Sequence, residues 1–256
     1  MRALILAFVF LCLPARAVTF SSDVSDLWSN ANEQGWGAAV YQQNEVVFIA
    51  LYVYNQGQQP VWYVGSNLTY TGVQGTALVW QGQWYQVTGP YFGGPFNPNL
   101  VNARLVGNAS FALTALNGAT LQYSVDGVVV TKTMTRQTFR QNDLTGSYLG
   151  GAAGTFSNGC ALSGYRESAS VIPVNHVGNS ISFTLQDGTS TCTFVGVYQQ
   201  YGRLAGAQGT YSCGSSVSGT WLAEEIDATI YGFSARFNTQ QGSCSSTGKL
   251  GGVKRN

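Results

Sequence analysis

Few residues of this chain have the types and spacing that catalysis requires. The best acidic cluster is formed by Glu224, Glu225 and Asp227. On a β-strand, Glu225 and Asp227 would point to one face about 7 Å apart. That distance falls within the roughly 5–9.5 Å that separates the two carboxyl groups of glycosidases. We interpret the cluster as a solvated strand face or strand end, and we keep a glycoside hydrolase that uses Glu225 and Asp227 as an alternative function.

The single histidine gives little support to a triad or a metal site. His176 lies in "NHVGN", which we predict to be a turn between two strands, so we expect a solvated loop histidine rather than a general base. The cysteines lack the C-x-x-C spacing of zinc sites, and the glycines do not form a phosphate loop before a helix. We therefore predict no metal and no cofactor, assign no catalytic residue, and favour a non-enzymatic function.

The tryptophans are better candidates for a ligand site. Trp80 and Trp84 are four residues apart, so they would share one face of a strand. We predict that these two rings form an exposed platform, whereas Trp36 and Trp62 belong more to the core. Glu33 stands just before the Gly35–Gly37 stretch, and we interpret it as an acceptor for turn amides. These five residues, Trp80, Trp84, Trp36, Trp62 and Glu33, are the predicted ligand-binding set.

Two glycines flank Trp36 at the head of an apolar run. A strand that curves into a closed barrel needs glycine where the sheet bends, and a neighbouring aromatic ring commonly covers the bare backbone. Gly35-Trp36-Gly37 fits that device. We therefore predict that Trp36 packs at a bend of a barrel, with a ring exposed in a mouth or groove as the alternative.

Four cysteines, all in the second half, predict two disulfides. For every pair of residues that face each other across one antiparallel hairpin, the sum of the two residue numbers (the index sum) is the same. For Cys192 and Cys213 that sum centres the turn between Gly202 and Arg203, where "QYGRL" is itself a turn signal. Cys160 and Cys244 then remain, and a closed barrel brings its first and last strands together. We predict the pairs Cys192–Cys213 and Cys160–Cys244.

The first 17 residues resemble an export signal. A positive charge at Arg2, an apolar run and the A-x-A sequence at residues 15–17 are typical of a secretory signal peptide. The apolar run is too short to span a bilayer, which needs roughly 20 residues. We predict a secreted protein, periplasmic or extracellular, with no membrane span in the mature chain.

The composition and charge of the chain argue against nucleic acid as a partner. Charged residues are 9% of the chain, against the roughly 25% of an average globular protein. The predicted mature chain has ten basic and eleven acidic residues, so it has no basic surface for nucleic acid. Neutral polar side chains must supply the solubility, and such a surface suits neutral ligands.

The pattern along the chain is that of strands and tight turns. The segment 46–54, "VVFIALYVY", reads as a strand buried on both faces or nearly so. Asn117-Gly118 and Asp126-Gly127 are hairpin signals, and turns recur about every 8–12 residues. We predict an all-β chain with two antiparallel meander or barrel-like domains, an aromatic-rich one at 18–140 and a disulfide-stapled one at 141–256. A calycin- or streptavidin-like topology is compatible with this pattern.

One segment also resembles a known module. The pattern W-x-N-x-x-E-x-G-W-G, followed by a turn ending in P-x-W, is similar to the recurring module of an uncharacterised group of secreted bacterial β-proteins, and the likeness covers about residues 27–139. The positions that carry it are Trp28, Asn30, Glu33, Gly35, Trp36, Gly37, Pro60 and Trp62. The second half resembles the disulfide-bearing partners of such modules. The resemblance implies a fold and secretion, and it implies no activity.

Three functions follow as hypotheses. The first is a secreted, non-catalytic binding protein for a neutral glycan or a small apolar molecule, with aromatic rings for stacking and amides for hydroxyl groups. The second is a structural or surface protein that interacts with other proteins. The third is the hydrolase named above. We favour the first and expect its site on the aromatic-rich first domain, with the second as rigid support.

Overall fold

The computed structural model describes residues 23–187, 190–214 and 217–255. The predicted signal peptide, residues 1–17, lies outside the described residues. The chain folds into two closed antiparallel barrels of eight strands each. The predicted all-β fold of two barrel-like units is confirmed.

The first barrel is a meander in which each strand pairs with the next and the last pairs with the first. It closes where Trp28 and Ser29 of the first strand face Arg136 and Thr135 of the eighth. Its strands are β1 (Asp26–Ser29), β2 (Gly37–Gln43), β3 (Val46–Tyr54), β4 (Pro60–Gln74), β5 (Ala77–Thr88), β6 (Asn102–Ala115), β7 (Gly118–Val125) and β8 (Val128–Arg136).

The second barrel has the same meander order and closes through pairing of its first and last strands. Its strands are β9 (Gly146–Phe156), β10 (Gly164–Val177), β11 (Ser180–Asp187), β12 (Ser190–Tyr201), β13 (Leu204–Cys213), β14 (Val217–Thr229), β15 (Gly232–Gln241) and β16 (Cys244–Lys254). The β10–β11 ladder covers only Val174–Val177 against Ser180–Phe183. It stops next to Pro173, which has no N–H to donate.

Local turn chemistry explains the tight hairpins. Asp126 and Gly127, between β7 and β8, both have positive φ, at 49° and 88°. A type I′ turn needs this at both central positions, and its twist matches that of the flanking strands. A different turn joins β5 to β6: it spans residues 89–101, contains a short 3₁₀ helix (Pro98–Leu100), and holds Phe92 at 92% exposure.

The two disulfides join the predicted cysteines. Cys192 faces Cys213 across the β12–β13 hairpin, whose last pair is Tyr201 with Leu204. Cys160 is bonded to Cys244, just where β16 closes against β9. Both pairings are therefore confirmed. The hairpin register explains the first, and the closure of the barrel explains the second.

An ionic joint links the barrels. The Gly202–Arg203 turn of the second barrel meets the start of the first: the Arg203 guanidinium pairs with Asp23, and its main-chain N–H donates to Asp26 Oδ2 over 2.9 Å. Arg203 also pairs with Asp227 within its own barrel. Burial raises the pKa of Asp23, but hydrogen bonds with Ser25 and the charge of Arg203 outweigh it and leave that pKa below its ordinary value.

A buried ion pair supports this joint from inside the first barrel. The side chain of Arg136 is fully buried and pairs with Asp26 over 3.1 Å. It also donates to the carbonyls of Leu116 and Asp23, and its guanidinium lies 4.7 Å from the centre of the Trp28 ring. Burial lowers the pKa of Arg136, and Asp26 offsets part of that effect. Removing either partner would leave a buried charge uncompensated, which costs about 3–5 kcal/mol.

Candidate functional site

Trp80 and Trp84 are core residues, so the prediction that they form an exposed platform is wrong. Both side chains have 0% exposure. Trp80 contacts the rings of Tyr70 and Phe111, and Trp84 contacts the ring of Tyr123.

Glycine explains how so many large rings fit inside one barrel. A Cβ built on Gly65 would lie only 2.8 Å from Trp84 Cζ3 and 2.3 Å from Leu68 Cδ1. Gly82 lies between the two tryptophans on β5, and a Cβ there would approach Asn67 O to 2.6 Å. A side chain at Gly65 would thus enter volume that the Trp84 indole occupies, whereas a side chain at Gly82 would meet the main chain of β4. The sequence alone did not reveal either contact.

Trp36 and Glu33 meet at one rim of the first barrel. Trp36 is half-buried against the core, and Glu33 pairs with Lys132 over 2.6 Å. Burial raises the pKa of the nearby Tyr123, and the charge of Lys132 offsets part of the rise. Glu33 is thus held by the ammonium of Lys132 on β8. Its carboxylate also accepts from the side-chain amide of Asn30 over 3.4 Å, and its carbonyl accepts from the Trp36 N–H in the turn.

The aromatic residue that covers Gly35 is Tyr54. A Cβ on Gly35 would lie 3.2 Å from Tyr54 Cε2, and its φ of +93° already favours glycine. Gly35 lies in the connection between β1 and β2 rather than in a bent strand, and the ring that covers it is supplied by β3 rather than by Trp36.

Trp62 lies on the outside of the barrel and is 46% exposed, so its predicted place in the core is wrong. It stands directly opposite Tyr52, which is 53% exposed. Tyr41 and Phe48 form a second directly opposed pair on β2 and β3. We call the outward rings of β2–β4 the aromatic face: Tyr41, Phe48, Tyr52, Tyr54 and Trp62.

The composition of strand 46–54 suggested that both of its faces are buried, but only one face is. Val47, Ile49 and Leu51 point inward and are fully buried, whereas Phe48 and Tyr52 point outward and are exposed. The signal was present in the sequence: all three rings of this strand occupy one parity, whereas the other parity is entirely aliphatic. Reading the segment by parity rather than by total hydrophobicity would have found this face.

A polar concavity continues from the aromatic face around the barrel. Strand pairing carries the sheet from the aromatic face to β5: Ala50 of β3 pairs with Val64 of β4, which pairs with Tyr85 of β5, and Ala50 and Val64 are themselves buried. Beyond Tyr85, the outward side chains of β5–β7 form the amide face: Gln81, Gln83, Asn108, Ser110, Gln122 and Ser124. They line a shallow concavity of about 550 Å³.

The amide face is organised by the strand register. Gln81, Ser110 and Gln122 form one row across three strands, and Gln83 and Asn108 belong to the next. These side chains carry no charge. The Tyr85 hydroxyl donates to Gln83, which ties the ring to the amides. The two faces together offer flat rings beside paired donors and acceptors.

The predicted carboxylate pair does not form as expected. Strand alternation, which would place Glu225 and Asp227 on one face, is interrupted by a bulge at which Glu225 has φ = 53°. Glu224 and Glu225 both pair with Arg236, whereas Asp227 pairs with Arg203 at the joint between the barrels. The carboxylates serve different arginines.

His176 lies in β10 and is 8% exposed, so its predicted place in a solvated turn is wrong. Its ring lies 4.4 Å from that of Tyr198, and Nδ1 accepts from the main-chain N–H of Leu144 over 3.3 Å. The residue thus ties the segment between the barrels to the second core. Its parity in "VIPVNHV", with Ile172 and Val174, marks it as inward.

Comparison with known proteins adds no assignment. No family model matches the chain, and no curated protein matches it. Across the described ranges, no helix is long and apolar enough to cross a membrane. In the same residues, no group of three or more His, Cys, Asp or Glu is placed to hold a metal ion.

Proposed function

We propose that this protein is an exported binding protein whose first barrel takes a neutral glycan on its outer surface. The observation that carries the proposal is the aromatic face, where Tyr52 and Trp62 stand exposed and directly opposed on neighbouring strands. The two disulfides support export, because such bonds persist in oxidising compartments.

The chemistry of the surface favours a sugar over other neutral ligands. A pyranose has a flat apolar face and a polar edge. Exposed rings can stack on the first, as aromatic rings do with flat partners. Amides that both donate and accept can bind the hydroxyl groups of the second. The amide face places Gln81 and Gln122 in one row beyond Tyr85, within reach of a ligand longer than one sugar.

The dimensions favour a chain of sugars. Tyr52 and Tyr54 are two residues apart on β3, about 7 Å, and Phe48 lies about 14 Å from Tyr52 along the same strand. Rings at these intervals offer several stacking points to a linear polysaccharide. Because the surface is neutral, binding should change little with ionic strength.

Pull-down with insoluble polysaccharides tests the proposal. Native protein should bind microcrystalline cellulose or chitin, and Trp62→Ala should weaken binding about tenfold, the equivalent of ~1.4 kcal/mol for one lost stacking contact. Tyr165→Ala is the matched control, because Tyr165 is an exposed ring on the second barrel. Equal loss in both variants, or no binding of native protein to cellulose, chitin or starch, would count against the proposal.

A further inference from the structure

The second barrel contains a cavity near one of its ends. It has a volume of about 220 Å³ and lies at the end remote from the Gly202–Arg203 joint, where Cys192, Cys213 and Cys244 are among its lining residues. An eight-stranded barrel is just wide enough to be filled by side chains or to hold one small ligand. The interior of the first barrel is filled by side chains, among them the fully buried Trp28, Trp80 and Trp84.

Small residues on one wall create the space. Ala152 and Gly154 of β9 and Gly248 of β16 line the cavity. Gly154 and Gly248 are directly paired, and a Cβ on Gly248 would lie 2.1 Å from Ala153 O, so the two strands approach too closely for a larger residue. The wall therefore stays thin, and the side chains of the facing strands do not fill the room it leaves.

The facing wall is aromatic. Phe194 and Tyr211 line it with stacked rings whose centroids are 5.2 Å apart, and Phe183, outside the lining, stacks on Phe194 at 4.7 Å. Phe237 meets Phe194 edge to face at 5.5 Å. Such a wall offers flat contact to a ring-shaped ligand.

A cluster of hydroxyl groups marks one side of the cavity. Thr239 Oγ1 and Ser246 Oγ are 2.6 Å apart, and both residues line the space. Burial raises the pKa of Tyr211, and hydrogen bonding with Thr239 offsets part of the rise, so the phenol stays neutral at physiological pH. Three charged residues, Arg166, Glu167 and Lys249, also line the space, so the lining carries charges of both signs. The guanidinium of Arg166 lies 5.9 Å from the Phe156 ring.

We propose that this cavity binds a small, uncharged molecule with one six-membered ring and a hydroxyl or carbonyl substituent. A dry cavity of about 150 Å³ lined by Leu, Ile and Phe suffices for benzene. The larger volume here leaves room for a short substituent, and the Thr239–Ser246 pair can both donate to it and accept from it. The site is separate from the aromatic face and does not depend on it.

Titration of ¹⁵N-labelled protein with p-cresol tests this assignment. The indole of Trp221 is the reporter, since it packs on Phe194 and Phe237 and its N–H donates to Val195 O. We expect a saturable shift of that indole signal. Ala152→Leu, which fills the cavity, should weaken binding at least tenfold, whereas Ala169→Leu on the exposed outer face of β10 should leave it unchanged.

Two further arms test the polarity of the site. Thr239→Val should reduce the affinity for p-cresol several-fold and leave that for toluene unchanged, because only the former uses the hydroxyl pair. Benzoate should bind more weakly than p-cresol. The absence of a saturable shift with p-cresol, equal binding by Ala152→Leu, or tighter binding of benzoate would overturn the proposal.

Discussion

Replacing Gly65 with alanine should destabilise the first barrel, because the new methyl group would enter space that Trp84 occupies. The added Cβ would lie 2.8 Å from Trp84 Cζ3 and 2.3 Å from Leu68 Cδ1. Carbon atoms in contact prefer about 3.5–4.0 Å, so these approaches are too short by roughly 0.7 Å and more than 1 Å. Both neighbours are fully buried and have little room to move. Overpacking of this kind costs about 1–3 kcal/mol.

Gly37→Ala is the matched control on the same barrel. The nearest atom to its added Cβ is Trp28 O at 3.6 Å, an ordinary contact. Lower backbone entropy of the unfolded chain should then stabilise this variant by about 0.4–1 kcal/mol. Urea unfolding followed by tryptophan fluorescence measures both variants. Equal stability of Gly65→Ala and native protein would refute the packing of Trp84 on β4, and with it the assignment of that residue to the core.

Three further predictions concern the second barrel and the joint. Gly202→Ala would place a Cβ 2.0 Å from a carboxylate oxygen of the first barrel, whereas Gly242→Ala has a similar positive φ and nothing within 4 Å; we expect Gly202→Ala to lower the melting temperature further. Because the pKa of Asp23 lies below its ordinary 3.8, its contribution is present above about pH 4 and is lost as the pH falls through the folded-state pKa. Asp23→Asn should therefore reduce the difference in urea stability between pH 6 and pH 3. The disulfides join cysteines 84 and 21 residues apart, so replacing the first pair by alanine should cost about 4.5 kcal/mol and the second about 3 kcal/mol in chemical unfolding.

The sequence was sufficient for the architecture because the fold rests on local rules. Turn residues with positive φ, such as Asp126 and Gly127, determine where the hairpins lie. The index sum of Cys192 and Cys213 then gives the register of one hairpin, and closure of the barrel leaves the other pair. These features depend on residues close together in the chain or on topology.

The candidate site was harder to predict because it depends on which side of a strand faces inward. Trp80 and Trp84 share a face, as expected, but that face points inward, where Gly65 of β4 leaves room for the Trp84 indole. Glu225 illustrates a second limit, since a bulge shifts the alternation by one residue and no simple pattern announces it. Long-range packing decides both cases.

Oxidative footprinting of the tryptophans, with and without a bound polysaccharide, tests the central claim most directly. Native protein adsorbed on cellulose or chitin is treated with N-bromosuccinimide, and each tryptophan is quantified by mass spectrometry. Trp62 should react rapidly in free protein and be protected in bound protein, whereas Trp80 and Trp84 should stay unmodified in both. Rapid modification of Trp84, or full reactivity of Trp62 in the adsorbed protein, would contradict the placement of the binding surface on the outside of the first barrel.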